Sequence, residues 1–116
     1  MKSHMDELAE IPLTETTYFI LLSLSPRPKY GYAIMKDVQV LSDKRVSLST
    51  GTLYGALKRL LDQCWITRSD DPEGAARKRK VYTLTEHGRR VLKAEIARLQ
   101  NLVSGAKLRV AEEYGG

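Results

Sequence analysis

Apolar residues recur at helical spacing along the first third of the chain. The first periodic segment opens at Leu13 and Thr14, where the threonine hydroxyl can cap a helix and Leu13 can pack on Tyr18. Residues 18–24 are apolar almost all round, which predicts a buried helix. The Ser-Pro-Arg-Pro run at 25–28 ends it, because proline disfavours the helical conformation in the residue before it.

Two further helices follow before the periodicity changes. Residues 31–41 carry Ile34, Val38 and Leu41 on one stripe and are predicted to form the second helix. Ser49 is placed to cap the third. The predicted buried stripe of this third helix consists of Leu53, Ala56, Leu57, Leu60 and Cys64.

After the third helix the pattern becomes alternating. Residues 65–69 and 81–84 are rich in strand formers, and a turn-prone segment with two aspartates, a proline and a glycine separates them. The pair is therefore predicted to be a two-stranded hairpin with a long tip.

The last segment, residues 85–114, is predicted to be one long helix. Its apolar residues step by 4, 3, 4, 3 and 4, which is a heptad-type seam. At about 1.5 Å per residue the helix would be on the order of 45 Å long, more than so small a domain can cover, so the seam predicts a second copy of the chain. The predicted dimer-interface residues are Leu92, Ile96, Leu99, Val103, Ala106 and Val110.

Composition limits the function classes. The 116 residues, 42% of them hydrophobic, suit one small globular domain, and the net charge of +5 favours a polyanionic partner. Residues 64–116 hold eleven basic and seven acidic side chains, so most of the excess lies in the second half. Nucleic acid is the first candidate and an anionic membrane surface the second.

The remaining counts argue against export and catalysis. Cys64 is the single cysteine, and the longest apolar run, residues 18–22, is far too short to span a membrane, so we expect a cytoplasmic protein without a membrane segment. Residues 1–5 are expected to be an expression-tag remnant. Cys64 and His87 are too few for a metal site or a nucleophile with its base, so no enzyme, metal or cofactor is expected.

The order of elements is that of a winged helix-turn-helix followed by a dimerisation helix, a mainly α fold. On the third helix, Gly51, Gly55, Lys58 and Arg59 lie opposite the buried stripe, with Thr52 and Tyr54 at its edges. Small residues admit DNA closely, hydroxyls and cations reach phosphates and base edges, and the basic run at 77–80 suits the wing. The candidate DNA-binding residues are Ser49, Thr50, Gly51, Thr52, Tyr54, Gly55, Lys58, Arg59, Arg77, Lys78, Arg79 and Lys80.

Four ordered motifs carry a family resemblance: YGY at 30–32, STGTLY at 49–54, LKRL at 57–60 and RKVYTLTEHG at 79–88. Together they resemble the PadR family of transcriptional regulators in its short form, with a single C-terminal dimerisation helix. The resemblance covers residues 13–92 in order and the following helix by type. Cys64 departs from the pattern, since a glycine commonly ends the recognition helix there.

The resemblance implies a DNA-binding domain at 13–85 and a dimerisation helix at 86–114. It implies a homodimeric repressor on a pseudo-palindromic operator, with Tyr54 and residues 49–52 facing DNA. A small aromatic or lipophilic effector would release it. The aromatic residues that could line an effector pocket, or simply belong to the core, are Tyr18, Phe19, Tyr32 and Trp65.

Two other classes of function are consistent with the residues, and the weaker of them is an enzyme with His87 as its one plausible base, which retained activity in His87→Ala would argue against. A winged-helix module can serve as a protein-interaction or assembly scaffold, in which the third helix meets protein rather than DNA. Replacement of Lys58 and Tyr54 distinguishes the repressor from the scaffold, since a repressor should lose operator binding while a scaffold keeps its protein partner.

Overall fold

The computed structural model describes residues 10–71 and 79–114, which form four helices and a three-stranded antiparallel sheet. In chain order the elements are α1 (Glu15–Leu24), β1 (Lys29–Tyr30), α2 (Gly31–Leu41), α3 (Thr50–Asp62), β2 (Ile66–Asp70), β3 (Lys80–Leu84) and α4 (Glu86–Tyr114). The predicted winged helix-turn-helix with a long C-terminal helix is confirmed.

The first two helices follow their local signals. The Thr14 hydroxyl accepts a hydrogen bond from the Thr17 amide at 3.1 Å and so caps α1 as predicted. The α2 bounds agree with the predicted ones, and Ile34 and Val38 are buried. Leu41, predicted to share their stripe, is 40% exposed, because it lies at the helix end where the chain leaves the core.

The end of α3 differs from the prediction at Cys64. The helix stops at Asp62, and Cys64 is exposed with a φ of 62°, so its assignment to the buried stripe is wrong. The Cys64 amide donates to the Leu61 carbonyl and the Trp65 amide to the Leu60 carbonyl, which is the Schellman arrangement that usually places glycine in the left-handed conformation. Cys64 therefore holds the position that glycine commonly takes, and the chain turns into β2.

The sheet contains one more strand than the sequence predicted. β3 lies in the centre, with β2 on one side and β1 on the other, so the two-stranded wing is part of a three-stranded sheet. β1 is only two residues long and forms through pairing of Tyr30 with Val81 and Lys29 with Tyr82. So short a strand has no alternation of its own that a sequence could display.

The core lies between the helices and the inner face of the sheet. Its fully buried members include Ile20, Leu21, Ile34, Leu53, Leu57, Ile66 and Val91. The first turn of α4 reaches this core at Gly88, where a Cβ would lie 2.1 Å from the Trp65 carbonyl oxygen. The buried Glu95 carboxylate joins α4 to the start of α1 by accepting from the Leu13 amide at 2.9 Å. None of the helices among the described residues is long and apolar enough to cross a membrane.

Candidate nucleic-acid interface

The exposed face of α3 is where the sequence predicted DNA contacts. Ser49 caps the helix by accepting from the Thr52 amide at 3.1 Å, and the residues predicted to face outward are all exposed. Apart from adjacent residues and the helix's own backbone, no atom of the described residues would lie within 4 Å of a Cβ at Gly51, and at Gly55 only the Arg59 guanidinium would, at 4.0 Å. These glycines therefore have no packing role within this part of the chain. They leave the α3 backbone open to an outside partner.

Tyr54 joins the two helices of the helix-turn-helix. Its ring packs against Gly31 at the start of α2, and its side chain stays about half exposed, at 47%. The hydroxyl end of the ring lies against α2, so this end is the part of the side chain that α2 covers. Tyr54 therefore presents a defined edge on the α3 surface.

A groove of about 760 Å³ runs between α3 and the sheet. Lys58 and Tyr54 line it from the helix, and Arg68 and Tyr82 line it from β2 and β3. Arg68 and Tyr82 are direct cross-strand partners, and the positive charge of Arg68 acts on the Tyr82 phenol. Burial raises the pKa of Tyr82, the neighbouring Tyr54 adds to this increase, and Arg68 opposes it, so the phenol stays protonated at neutral pH.

Sequence reasoning missed Arg68. Its place beside Lys58 depends on the register of the hairpin, in which Arg68 lies opposite Tyr82. The length of the connecting segment left that register undetermined, so no local signal could have found it.

Two of the four basic residues predicted in the wing, Arg79 and Lys80, lie at its base. The Arg79 guanidinium carbon lies 4.4 Å from the centre of the Tyr30 ring, which is a cation–π contact, and Lys80 forms an ion pair with Asp70. Arg77 and Lys78, predicted at the wing tip, lie outside the described residues. On α3, Lys58 approaches Asp62 at 3.7 Å, but both side chains are largely exposed, so the pair holds the lysine only weakly.

The predicted dimer seam splits into two parts. Leu92 is buried in the core of its own chain and Ile96 packs against that core, so Leu92 is wrongly assigned to a seam between chains. Val103, Ala106 and Val110 are exposed. The same stripe of α4 therefore packs on α1 in its first half and is bare in its second half. Leu102, 59% exposed and one step beside the stripe, widens the bare part.

The four aromatic residues suggested for an effector pocket are not gathered in one cavity. Tyr18 and Phe19 meet edge to face with ring centres 5.2 Å apart, and Tyr18 lines a groove between α1 and α4. Tyr32 is exposed on α2 with Lys36 over its ring, and Trp65 is buried in the core. Only Tyr18 and Phe19 are thus brought together.

Of the two residues considered for catalysis, Cys64 is exposed and His87 has structural partners. His87 Nε2 lies 3.1 Å from a Glu10 carboxylate oxygen, and its ring stands edge-on to Trp65. Within the described ranges, no cluster of three or more His, Cys, Asp or Glu side chains could hold a metal ion.

Comparison with known proteins agrees with this architecture. The profile of the transcriptional regulator PadR-like family matches residues 20–94. No curated protein matches the chain. A PadR family regulator from Clostridium difficile is 27% identical, with a TM-score of 0.68 over 89% of this chain and 100% of that one. A PadR family regulator from Eggerthella lenta is 29% identical, with a TM-score of 0.63 over 91% and 90%.

A third structure contains nucleic acid. Bacillus subtilis PadR in complex with operator DNA is 30% identical, with a TM-score of 0.59, and the match covers 66% of this chain but 44% of that one. The match thus takes in less than half of the Bacillus protein.

Proposed function

Since the chain belongs to the PadR-like family of transcriptional regulators, we propose that it is a homodimeric repressor that binds a specific, pseudo-palindromic DNA operator. The observation that carries the proposal is the exposed, capped α3 with two glycines that serve no packing role among the described residues. The complex of Bacillus subtilis PadR with operator DNA supports the same class of partner. A regulator of this kind acts in the cytoplasm, where its operator lies, and has no catalytic role.

In this proposal α3 enters the major groove. The amides at residues 49–51 and the Thr52 hydroxyl contact phosphate, while Lys58 and Arg59 reach further along the groove to phosphates or guanine edges. Arg68, Arg79 and Lys80 extend the cationic surface from the sheet side. Arg77 and Lys78, which the sequence predicts at the wing tip, would add to this charge. The domain at 13–85 would then bind DNA and the helix at 86–114 would join two copies.

Dimerisation uses the bare half of α4. Val103, Ala106 and Val110 are exposed and continue, after the half-buried Leu99, the stripe that α1 covers earlier. A second copy would offer the matching apolar stripe. Two recognition helices then meet half-sites about one helical turn apart, roughly 34 Å.

Release by a small aromatic or lipophilic effector is the regulatory part of the proposal. The groove of about 590 Å³ between α1 and α4 lies where the second copy would pack, and its lining is half apolar or aromatic and half polar: Tyr18, Ile96, Leu99 and Val103, with Gln100, Asn101, Ser104 and Lys107. A ligand there would act only by binding one dimer spacing more tightly than the other.

Fluorescence anisotropy tests the proposal directly. A duplex enriched from a random-sequence library by the protein should bind more tightly than a scrambled duplex at the same salt concentration, and its affinity should fall steeply as salt rises. Equal affinity for both duplexes contradicts the proposal and favours a scaffold role. Lys58→Ala and Tyr54→Ala should weaken operator binding, whereas a scaffold would bind DNA no worse after either change.

A further inference from the structure

Tyr30 makes two contacts with the base of the wing. Its hydroxyl donates a hydrogen bond to the Asp71 carboxylate, and its ring face carries the Arg79 guanidinium at 4.4 Å. Asp71 and Arg79 flank the segment at 72–78, and the Asp71 amide donates to the Arg79 carbonyl at 2.9 Å. One tyrosine therefore touches both ends of the connection between β2 and β3.

The same residue is fixed to the helix-turn-helix through its backbone. Tyr30 pairs with Val81 in the sheet and is the N-cap residue of α2. Gly31, the next residue, supports the Tyr54 ring of α3. Tyr30, Tyr54, Arg79 and Lys80 all line one cleft of about 320 Å³. Arg79 of the wing and Tyr54 of α3 therefore line the same cleft, with Tyr30 beside them.

We propose that Tyr30 is a positioning residue for DNA binding, which holds the Arg79 guanidinium at a set distance from α3 so that both contact the same stretch of DNA backbone. The inference rests on the function proposed above. A guanidinium held over a ring face by cation–π attraction can still donate hydrogen bonds, so the contact positions Arg79 without using the donors that phosphate needs. Holding the side chain in place also removes part of the entropy that DNA binding would otherwise cost.

A double-mutant cycle between Tyr30 and Arg79 tests the inference. The probe is a fluorescein-labelled duplex enriched from a random-sequence library by the wild-type protein, titrated over a series of KCl concentrations. We expect Tyr30→Leu to weaken binding about tenfold and to reduce the slope of log affinity against log salt by about 0.9, the loss of one phosphate contact. Arg79→Ala should do the same, and the double variant should bind no worse than either single one.

Two further variants keep the test decisive. Lys93→Ala removes one positive charge from an exposed position on α4 and should leave affinity and slope close to those of the wild type. Arg79→Lys keeps the charge but loses the planar guanidinium that lies over the Tyr30 ring, so it should also weaken binding. This variant tests the inference even if Tyr30→Leu does not fold, which thermal melting followed by circular dichroism would reveal.

The outcomes separate the inference from the function on which it rests. Additive losses in the cycle, an unchanged salt slope in Tyr30→Leu, or wild-type affinity in Arg79→Lys would overturn the positioning role while the protein remains a DNA-binding regulator. If the wild-type protein enriches no duplex at all, the proposed function fails and the inference fails with it.

Discussion

The hydroxyl of Tyr54 on α3 lies against Gly31, the first residue of α2, so closely that a Cβ at position 31 would be 2.6 Å from Tyr54 Oη and 3.0 Å from Cζ. Glycine fits here because of the close approach of the Tyr54 ring and not because of backbone conformation. The contact sets how the two helices of the helix-turn-helix meet, and it decides where the exposed edge of the Tyr54 ring lies.

Gly31→Ala should change DNA binding more than stability. The clashing atoms belong to the far end of a side chain that is about half exposed, so the ring can swing away and the fold survives. We expect operator affinity to fall about tenfold, equivalent to about 1.4 kcal/mol, with little change in the free energy of unfolding. Anisotropy titrations of Gly31→Ala, Tyr54→Ala and the double variant measure this. If the double variant binds clearly worse than Tyr54→Ala, Gly31 acts by another route.

Alanine substitutions at two glycines of α4 should have opposite effects on the free energy of unfolding. A Cβ at Gly88 would collide with the Trp65 backbone carbonyl at 2.1 Å. At Gly105 it would meet no atom of the described residues within 4 Å beyond adjacent residues and the helix's own backbone. Urea denaturation should find Gly88→Ala destabilised by several kcal/mol, if it folds, because backbone cannot give way as a side chain can. Gly105→Ala should be stabilised by about 1 kcal/mol through helix propensity. A tolerant Gly88→Ala would disprove the packing of α4 on Trp65.

Cys64→Gly should stabilise the protein. Cys64 has a φ of 62° at the end of α3, a conformation that costs roughly 1 kcal/mol in a residue with a Cβ. Glycine would adopt it without that cost, while Cys64→Ala would keep it, so alanine is the matched control. Thermal unfolding of the three proteins compares them. A glycine variant no more stable than the alanine variant would contradict the left-handed cap.

The buried Glu95 carboxylate should make stability depend on acid pH. It accepts from the Leu13 amide and from Arg98 Nε at 2.6 Å and Nη2 at 3.0 Å. The Arg98 hydrogen bonds hold the pKa of Glu95 below its usual value, helped by the Leu13 amide and opposed by burial. The folded protein thus releases this proton more readily than the unfolded chain. The resulting stability is complete above the ordinary glutamate pKa of about 4.3 and is lost as the pH falls through the lower folded value.

Glu95→Gln measures this contribution. At pH 7 the variant should be less stable than the wild type by about 1–3 kcal/mol, the usual range for a buried hydrogen bond to a charged group. The difference should shrink as the pH is lowered below about 4. Urea titrations of both proteins at several pH values give the two curves. A difference that is constant with pH would mean that the Glu95 charge contributes nothing.

Leu99→Asp should separate the proposed dimer into monomers. Leu99 lies on α4 where the stripe leaves its own core, so a carboxylate there would be buried unpaired between two copies. Light scattering should give the mass of one chain, and circular dichroism should retain the helical signal. Lys93→Asp, on an exposed position outside the stripe, is the control and should keep the dimer mass. A dimer that persists in Leu99→Asp would place the contact elsewhere.

The sequence by itself determined every element whose signal is local. Helix starts depend on contacts within one or two helical turns, as do the hydroxyl caps at Thr14 and Ser49 and the apolar spacing of α2. The helix starts and the outward face of α3 were therefore predictable. The basic character of the wing was also predictable, because the charge of a segment follows from its composition alone. The ordered motifs of the family added the expected partner and the expected order of domains.

Tertiary structure decided what depends on contacts between distant segments. β1 exists only because β3 pairs with it, Arg68 joins the candidate interface only through its register with Tyr82, and Leu92 is covered by its own chain rather than a partner. The left-handed turn at Cys64 and the contacts of Tyr30 with Asp71 and Arg79 are of the same kind. The spacing of residues along the chain shows which of them lie on the same face of a helix or strand. Which part of the molecule covers that face depends on segments tens of residues away, and their positions follow from the packing of the whole core.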